Sequence, residues 1–402
     1  MPPTRRELIL AAVVLIALPA LGELALRITG VQFEPQLYVP DHARGWALRA
    51  GANGVVHGEI RQAVRINSHG FRDRERNYEK SEGTIRVAVL GNSWTEALQV
   101  PREKTYPAVL EGELQKHECF KGRRVEVLNF GVAGYSTGQE LLTLQQEVWK
   151  YSPDLVLLAF YPPRDIANNV RELNNAANPD QSPYYVYRDS KLSEDTTFRD
   201  LPVLQPRQIA LQKLRYDVDD HVHLLQAVDA LRRSAKLRLA TAAIKERAEE
   251  FGFEHLEYSI YAPPESDAMR DAWRVTEGLL AFMRDEAKAH RAEFRVVVLA
   301  TRPQVLPDPV TRAALERKLG VKELSYADRQ IAEFGGRENI PVTLLAPALS
   351  AYAEAHRVYL NGFNDHNWGT GHWNETGHRL AAETIAADLC GKVQSPEKAG
   401  QE

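Results

Sequence analysis

Cysteine is all but missing from this chain: 402 residues include two, Cys119 and Cys390. Two thiols so far apart exclude a disulfide-built scaffold and a cysteine zinc site. One disulfide outside the cytoplasm and two buried thiols both stay open. An excess of one charge sign is lacking too. The 50 Lys and Arg face 54 Asp and Glu, for a net charge of −4, so there is no broad basic field to hold nucleic acid. The 12 histidines include no pair at helical ligand spacing with a carboxylate, so neither a metal nor another cofactor is expected. Internal repeats and heptads are absent as well. What remains is a globular composition, 44% hydrophobic and 26% charged, enough for one large domain or a few smaller ones. It gives no oligomeric state.

One apolar run stands out, near the N-terminus. Arg5 and Arg6 precede Leu8 to Gly22, about 15 uncharged residues against the roughly 18 to 20 that a spanning helix needs. Continuing through Leu26 reaches spanning length and places Glu23 near the interface. The two arginines stay on the cytoplasmic side, so the body of the chain is expected outside, periplasmic or at the cell surface. It is tethered if the segment stays and secreted if it is cleaved near Ala20-Leu21-Gly22; a buried core helix is the remaining reading. No cysteine follows the run, which excludes a bacterial lipoprotein anchor.

Residues 1–30 thus form an anchor or signal, and 31–80, rich in turn formers, a linker with short strands, clearest at Ala63-Val64-Arg65-Ile66. An α/β pattern then fills 81–390. Ile85–Leu90 is a short apolar run that ends at Gly91, as a buried parallel strand would; Val125–Phe130 is the next strand and Leu155–Phe160 a third buried one. Helices are expected at about Tyr106–His117 and Thr137–Lys150, giving a parallel sheet covered on both faces. The pattern breaks at about 171–290, read as a helical insertion or cap with a strand at Tyr184–Tyr187 and helices at about Arg207–Glu250 and Asp267–His290. It resumes with strands at Phe294–Ala300 and Val342–Leu345 and helices near Tyr326–Phe334 and Glu375–Leu389. Residues 391–402 read as a disordered tail.

Four short blocks could carry chemistry, each at a strand end or a helix start. Ligands sit beyond the carboxyl ends of strands in such sheets. In Gly91-Asn92-Ser93, Ser93 would be exposed at a strand-to-helix turn, although a plain helix cap explains most such serines. In Asn129-Phe130-Gly131-Val132-Ala133-Gly134, the Gly134 N–H could point into the same crevice, or simply make a turn. In Tyr161-Pro162-Pro163-Arg164-Asp165, Arg164 could meet an oxyanion while Asp165 braces the loop; a surface ion pair is the plainer reading. In Gly371-His372-Trp373-Asn374, His372 could accept a serine proton, or be an ordinary loop histidine. His378, inside the last helix, reads as structural.

Taken in this order, the blocks resemble those of the SGNH (GDSL-like) hydrolase superfamily, especially its secreted and membrane-anchored bacterial members. Arg65-Ile66-Asn67-Ser68-His69-Gly70-Phe71-Arg72-Asp73 resembles the segment such proteins carry before the nucleophile strand. The likeness covers residues 60–170 well and 290–390 moderately. It implies a flavodoxin-like parallel sheet between helical layers, a three-layer sandwich. It also implies Ser93 as nucleophile and His372 as base, with Ser93 and Gly134 N–H groups at the oxyanion. Two departures matter. Arg164 stands where the family has an oxyanion asparagine, and Gly369 where it has the aspartate that orients the histidine. His372 would then act in a dyad, lean on a backbone carbonyl, or borrow Asp365.

The resemblance implies a serine esterase without cofactor, acting on an acylated carbohydrate or other ester outside the cytoplasm, with deacetylation foremost. An envelope-polysaccharide O-acyltransferase would use the same acyl-enzyme. A non-catalytic glycan-binding or assembly protein is the alternative of a different class.

Overall fold

The computed structural model describes residues 3–116, 120–174, 179–232, 235, 258–364 and 367–391. Helix α1 (Arg5–Thr29) carries Pro19 and is closed by Gly30 in the left-handed region. Its apolar side chains stand clear of the protein; Leu15 is 77% exposed. It is long and apolar enough to cross a membrane, with a mean hydropathy of 2.4.

Two hairpins follow. Strands β1 (Tyr38–Asp41) and β2 (Gly45–Leu48) pair antiparallel, as do β3 (Asn53–His57) and β4 (Arg61–Arg65). This is the stretch read as a linker with short strands, and β4 overlaps the strand expected at Ala63-Val64-Arg65-Ile66. Leu37, Leu48, Ala52, Val64 and Ile66 form a small core with Val132 and Tyr135 of the main domain. The chain folds this way because alternate hairpin side chains share one apolar face.

The main sheet contains β5 (Thr84–Gly91), β6 (Arg124–Gly131), β7 (Leu155–Phe160), β10 (Glu293–Val298) and β11 (Val342–Leu344). All neighbours are parallel in the order β11-β10-β7-β5-β6. That is the flavodoxin-like order, with its switch point between β5 and β7. Strand side chains alternate between faces. Ala88, Leu90, Leu128, Phe130, Val156 and Leu158 enter one core. Helices α4 (Thr137–Gln146) and α7 (Asp267–Ala289) cover it, with α9 (Tyr326–Glu338) beside them. Val87, Val89, Val125, Val127 and Leu157 enter the other, under α3 (Tyr106–Lys116), α10 (Ala346–His356) and α11 (Glu375–Leu389). The sandwich therefore has three layers.

Helix α7 buries Ala272, Val275, Leu279, Leu280 and Met283 in the first core, so the end of the stretch expected as an insertion, about 171–290, is a covering helix of the sheet. Earlier in that stretch lie β8 (Tyr184–Arg188), β9 (Lys191–Asp195) and α6 (Pro206–Asp219). Helix α8 (Pro309–Leu319) lies between β10 and α9. The expected helix at about Arg207–Glu250 lies partly, and the tail almost wholly, outside the described residues. Cys390 is disulfide-bonded, while Cys119 lies outside those residues.

Candidate active site

Strand β5 runs straight into the one-turn helix α2 (Ser93–Glu96). Asn92 shapes that corner. Its side chain accepts from Trp94 N–H at 3.2 Å and donates to Asp165 Oδ1 at 3.3 Å. Asp165 is fully buried at the end of α5 (Pro162–Asp165) and also accepts from Tyr161 N–H at 2.5 Å. Burial raises its carboxyl, as it does that of neighbouring Glu140. Asp165 thus braces the corner beneath Ser93. Arg164 is exposed on α5, and its charge acts on Asp165.

His372 stands on the loop before α11. Asn374 starts that helix by accepting from Thr376 and Gly377 N–H, both at 3.1 Å, and anchors the loop by donating to Tyr359 O at 2.9 Å. The imidazole Nε2 lies 2.8 Å from Ser93 Oγ. A hydroxyl and a ring nitrogen 279 residues apart therefore meet at hydrogen-bond distance. Trp94 lies against the imidazole, with ring centroids 4.8 Å apart. His378 is buried in α11 and accepts from Tyr106 N–H at 3.3 Å; burial drives its imidazole down to about 3, so it stays neutral.

The acid that the fourth block lacks comes from the β3–β4 turn. Glu59 Oε1 lies 2.5 Å from His372 Nδ1, and Glu59 Oε2 accepts the His372 backbone N–H at 2.8 Å. Gly371 permits this approach. Its φ is +68°, and a Cβ there would run into the Glu59 carboxylate. Gln99 Nε2 is also near Nδ1, at 3.2 Å. A neutral imidazole has one proton, and the shorter, two-point contact assigns it to Nδ1, donated to Glu59. The Nε2 lone pair then faces Ser93. Burial pushes the Glu59 carboxyl up, but the hydrogen bonds from His372, the charge of that ring when it is protonated, and Arg302 beyond outweigh it and hold the carboxyl below its ordinary value.

Sequence reasoning missed Glu59, since no spacing rule links residues 313 apart. The available signal was indirect: Gly369 in place of an acid requires the acid to come from elsewhere, and Glu59 sits at the tip of an alternating hairpin. Asp365, the acid suggested instead, lies outside the described residues. A cavity of about 290 Å³ opens beside Glu59, bounded by Pro35, Leu37, Val56, Leu98 and Gln99.

Gly134 follows β6 with φ +82°, in the left-handed region. The loop before it is tied to α2, because Ala133 N–H donates to Glu96 Oε2 at 2.5 Å. Glu96 is fully buried and accepts from Tyr38 Oη–H at 2.8 Å; burial pushes its carboxyl up to about 7.

No protein-family model matches the chain. Over 101 residues it is 32% identical to an arylesterase from Vibrio mimicus, a match covering 23% of this chain. The chain spans about half the length of that curated relative, 48%. Solved structures similar to it include a protein assigned to the lipolytic G-D-S-L family from Desulfitobacterium hafniense, at 14% identity and TM-score 0.34, covering 75% of this chain and 97% of that one. Another is a catalytic mutant of an acetylxylan esterase from Geobacillus stearothermophilus, at 11% and 0.38, covering 78% and 96%. A third is an α/β hydrolase from the Lake Arreo metagenome, at 13% and 0.38, covering 79% and 99%.

Proposed function

We propose that this chain is a membrane-tethered serine esterase of the SGNH type that removes acyl groups from an extracytoplasmic substrate. The observation carrying this reading is the continuous relay from Ser93 Oγ through His372 to Glu59, at 2.8 Å and 2.5 Å. In the reaction, Ser93 Oγ attacks the acyl carbonyl and its proton passes to His372 Nε2. Glu59 remains a carboxylate and stabilises the imidazolium through Nδ1–H. The N–H groups of Ser93 and Gly134 hold the oxyanion, with Arg164 adding positive charge from the open side. Collapse expels the alcohol, which takes the proton from His372 and leaves the acyl group on Ser93. Water, deprotonated by His372, then releases the acid and restores the serine. A sugar hydroxyl in place of water would make the same site an O-acyltransferase. An aligned relay ending in an ionised acid has no use in a protein that only binds glycans, and so favours catalysis.

Acetylated carbohydrate is the proposed substrate class. The short stretch shared with an arylesterase supports ester chemistry. A fluorophosphonate should label the full chain at Ser93 alone, located by peptide mass. A folded protein that takes up no label from mildly acid to alkaline pH would sink the nucleophile assignment.

The tether reading rests on α1. A helix with so much apolar surface open to water would lose roughly 25 cal/mol for every Å² left unburied. A bilayer removes that cost, and Arg5 and Arg6 orient the body outward. The full chain should resist alkaline carbonate extraction from membranes, and external protease should digest its body. Complete release into the carbonate supernatant would reject the tether.

A further inference from the structure

The first hairpin grips the loop that carries Gly134. Trp46, in β2, donates its indole Nε1–H to Ala133 O at 3.0 Å. That carbonyl and the Gly134 N–H belong to the same peptide unit, which is planar and trans, so the two point in opposite directions. Anchoring the oxygen therefore fixes where the N–H aims. The peptide before it is fixed as well, by the bond from Ala133 N–H to Glu96. Both turns of the chain around Ala133 are thus held, one from β2 and one from α2.

The contact is close and made from several sides. A Cβ built on Gly134 would stand 3.2 Å from Trp46 Cζ2. Tyr135 Oη–H donates to the Trp46 carbonyl at 2.5 Å, and the two rings meet edge to face with centroids 5.7 Å apart. Gln139, in the first turn of α4, donates Nε2–H to Arg44 O at 2.8 Å and ties the helix that follows the loop to the same hairpin. Tryptophan suits this position. Its ring is rigid about two torsions and presents one donor and no acceptor, so the carbonyl has a single hydrogen-bonding geometry to adopt.

We propose that Trp46 is a positioning residue for catalysis: through the Ala133 carbonyl its indole N–H aims the Gly134 N–H at the oxygen that becomes charged when Ser93 attacks. The proposal rests on the ester chemistry above and deepens it. The hairpin region 38–65 then supplies two parts of one machine, the acid on His372 and the anchor of the oxyanion loop. Preorganised donors act in the transition state and little in the ground state. Losing the anchor should therefore slow turnover without weakening substrate binding.

Trp46→Phe in the full chain keeps the ring against Gly134 and removes the donor. With a p-nitrophenyl ester, kcat should fall about ten- to a hundredfold, with KM unchanged. A trifluoromethyl ketone, which adds Ser93 to form a tetrahedral oxyanion, should bind more weakly by the same factor as kcat/KM falls. A merely structural role would lower the melting temperature and leave the ketone-to-substrate ratio alone. If the phenylalanine variant folds poorly, site-specific incorporation of the benzothiophene analogue of tryptophan removes the N–H and leaves the shape intact. Wild-type kcat and ketone affinity in a folded variant overturn the proposal, as does a loss confined to KM. Ester turnover that survives Ser93→Ala would instead overturn the underlying reading of the site, so the two failures are told apart.

Discussion

Ser93→Ala is expected to reduce p-nitrophenyl acetate turnover by about ten-thousand- to a millionfold, down to whatever the remaining donors supply. Deleting the Oγ removes the atom that forms the acyl bond, and among the described residues no other hydroxyl is hydrogen-bonded to Nε2 of His372. Stability should barely change. Ser93 is only half-buried, its Oγ is held among the described residues by one bond, to His372, and the freed imidazole nitrogen can turn to water; changes of this kind lie within about 0.5 kcal/mol. His372→Ala should cost a similar factor, and the double variant little more, because the two groups act as one unit. Thermal unfolding with stopped-flow ester kinetics checks both. A folded Ser93→Ala enzyme that keeps its rate removes Ser93 from the chemistry, whatever the distances say.

The sheet was legible because its strands are buried on both faces. All eight residues of β5 and all six of β7 are buried; β7 reads as an unbroken apolar run, and β5 as one interrupted by Arg86, which is paired with Glu126. Where a helix has one dry and one wet face, composition misled. Helix α7 is dense in Arg, Asp and Glu and falls inside the stretch, about 171–290, where the strand–helix alternation breaks. Its dry stripe at Met269, Ala272, Trp273, Thr276, Leu280 and Met283 nevertheless follows helical spacing and marks it as a layer of the core. Period, which reports packing, was the better guide than charge content.

The site divides along the same line. Ser93, Gly134 and His372 are each announced by local chain chemistry: a strand end, a left-handed glycine and a helix cap. Their joint appearance in order is what made a site readable, and the fold brings Ser93 and His372 into contact. Glu59 and Trp46 carry no such local mark. They reach the site through the docking of two hairpins on the 132–135 loop, a tertiary event fixed by side chains such as Leu48, Val64 and Ile66. A segment that looked like a connection therefore holds the acid, because the acid's partner is chosen by packing and not by spacing.

Glu59→Gln tests that acid and should be the second largest loss, about a hundred- to ten-thousandfold in kcat. The reason lies in counting acceptors. Glu59 offers one carboxylate oxygen to His372 Nδ1–H and the other to the His372 backbone N–H. Glutamine keeps an acceptor at only one of those two positions and puts an NH₂ donor at the other. When its oxygen takes the backbone N–H, its NH₂ faces Nδ1, the ring proton moves to Nε2, and the base confronts Ser93 with a donor in place of a lone pair. The imidazolium formed during attack also loses its counter-charge. In the wild type the depressed Glu59 carboxyl adds stability that is fully present above its ordinary value of 4.5 and is lost as pH falls through the lower folded value. The glutamine variant should therefore be less stable than wild type at neutral pH, with the gap closing under acid. Glu59→Asp keeps both acceptors on a shorter arm and should recover part of the rate. If the glutamine variant matches wild type in kcat, then Gln99 or a backbone group orients His372, and the hairpin acid is only a structural tie.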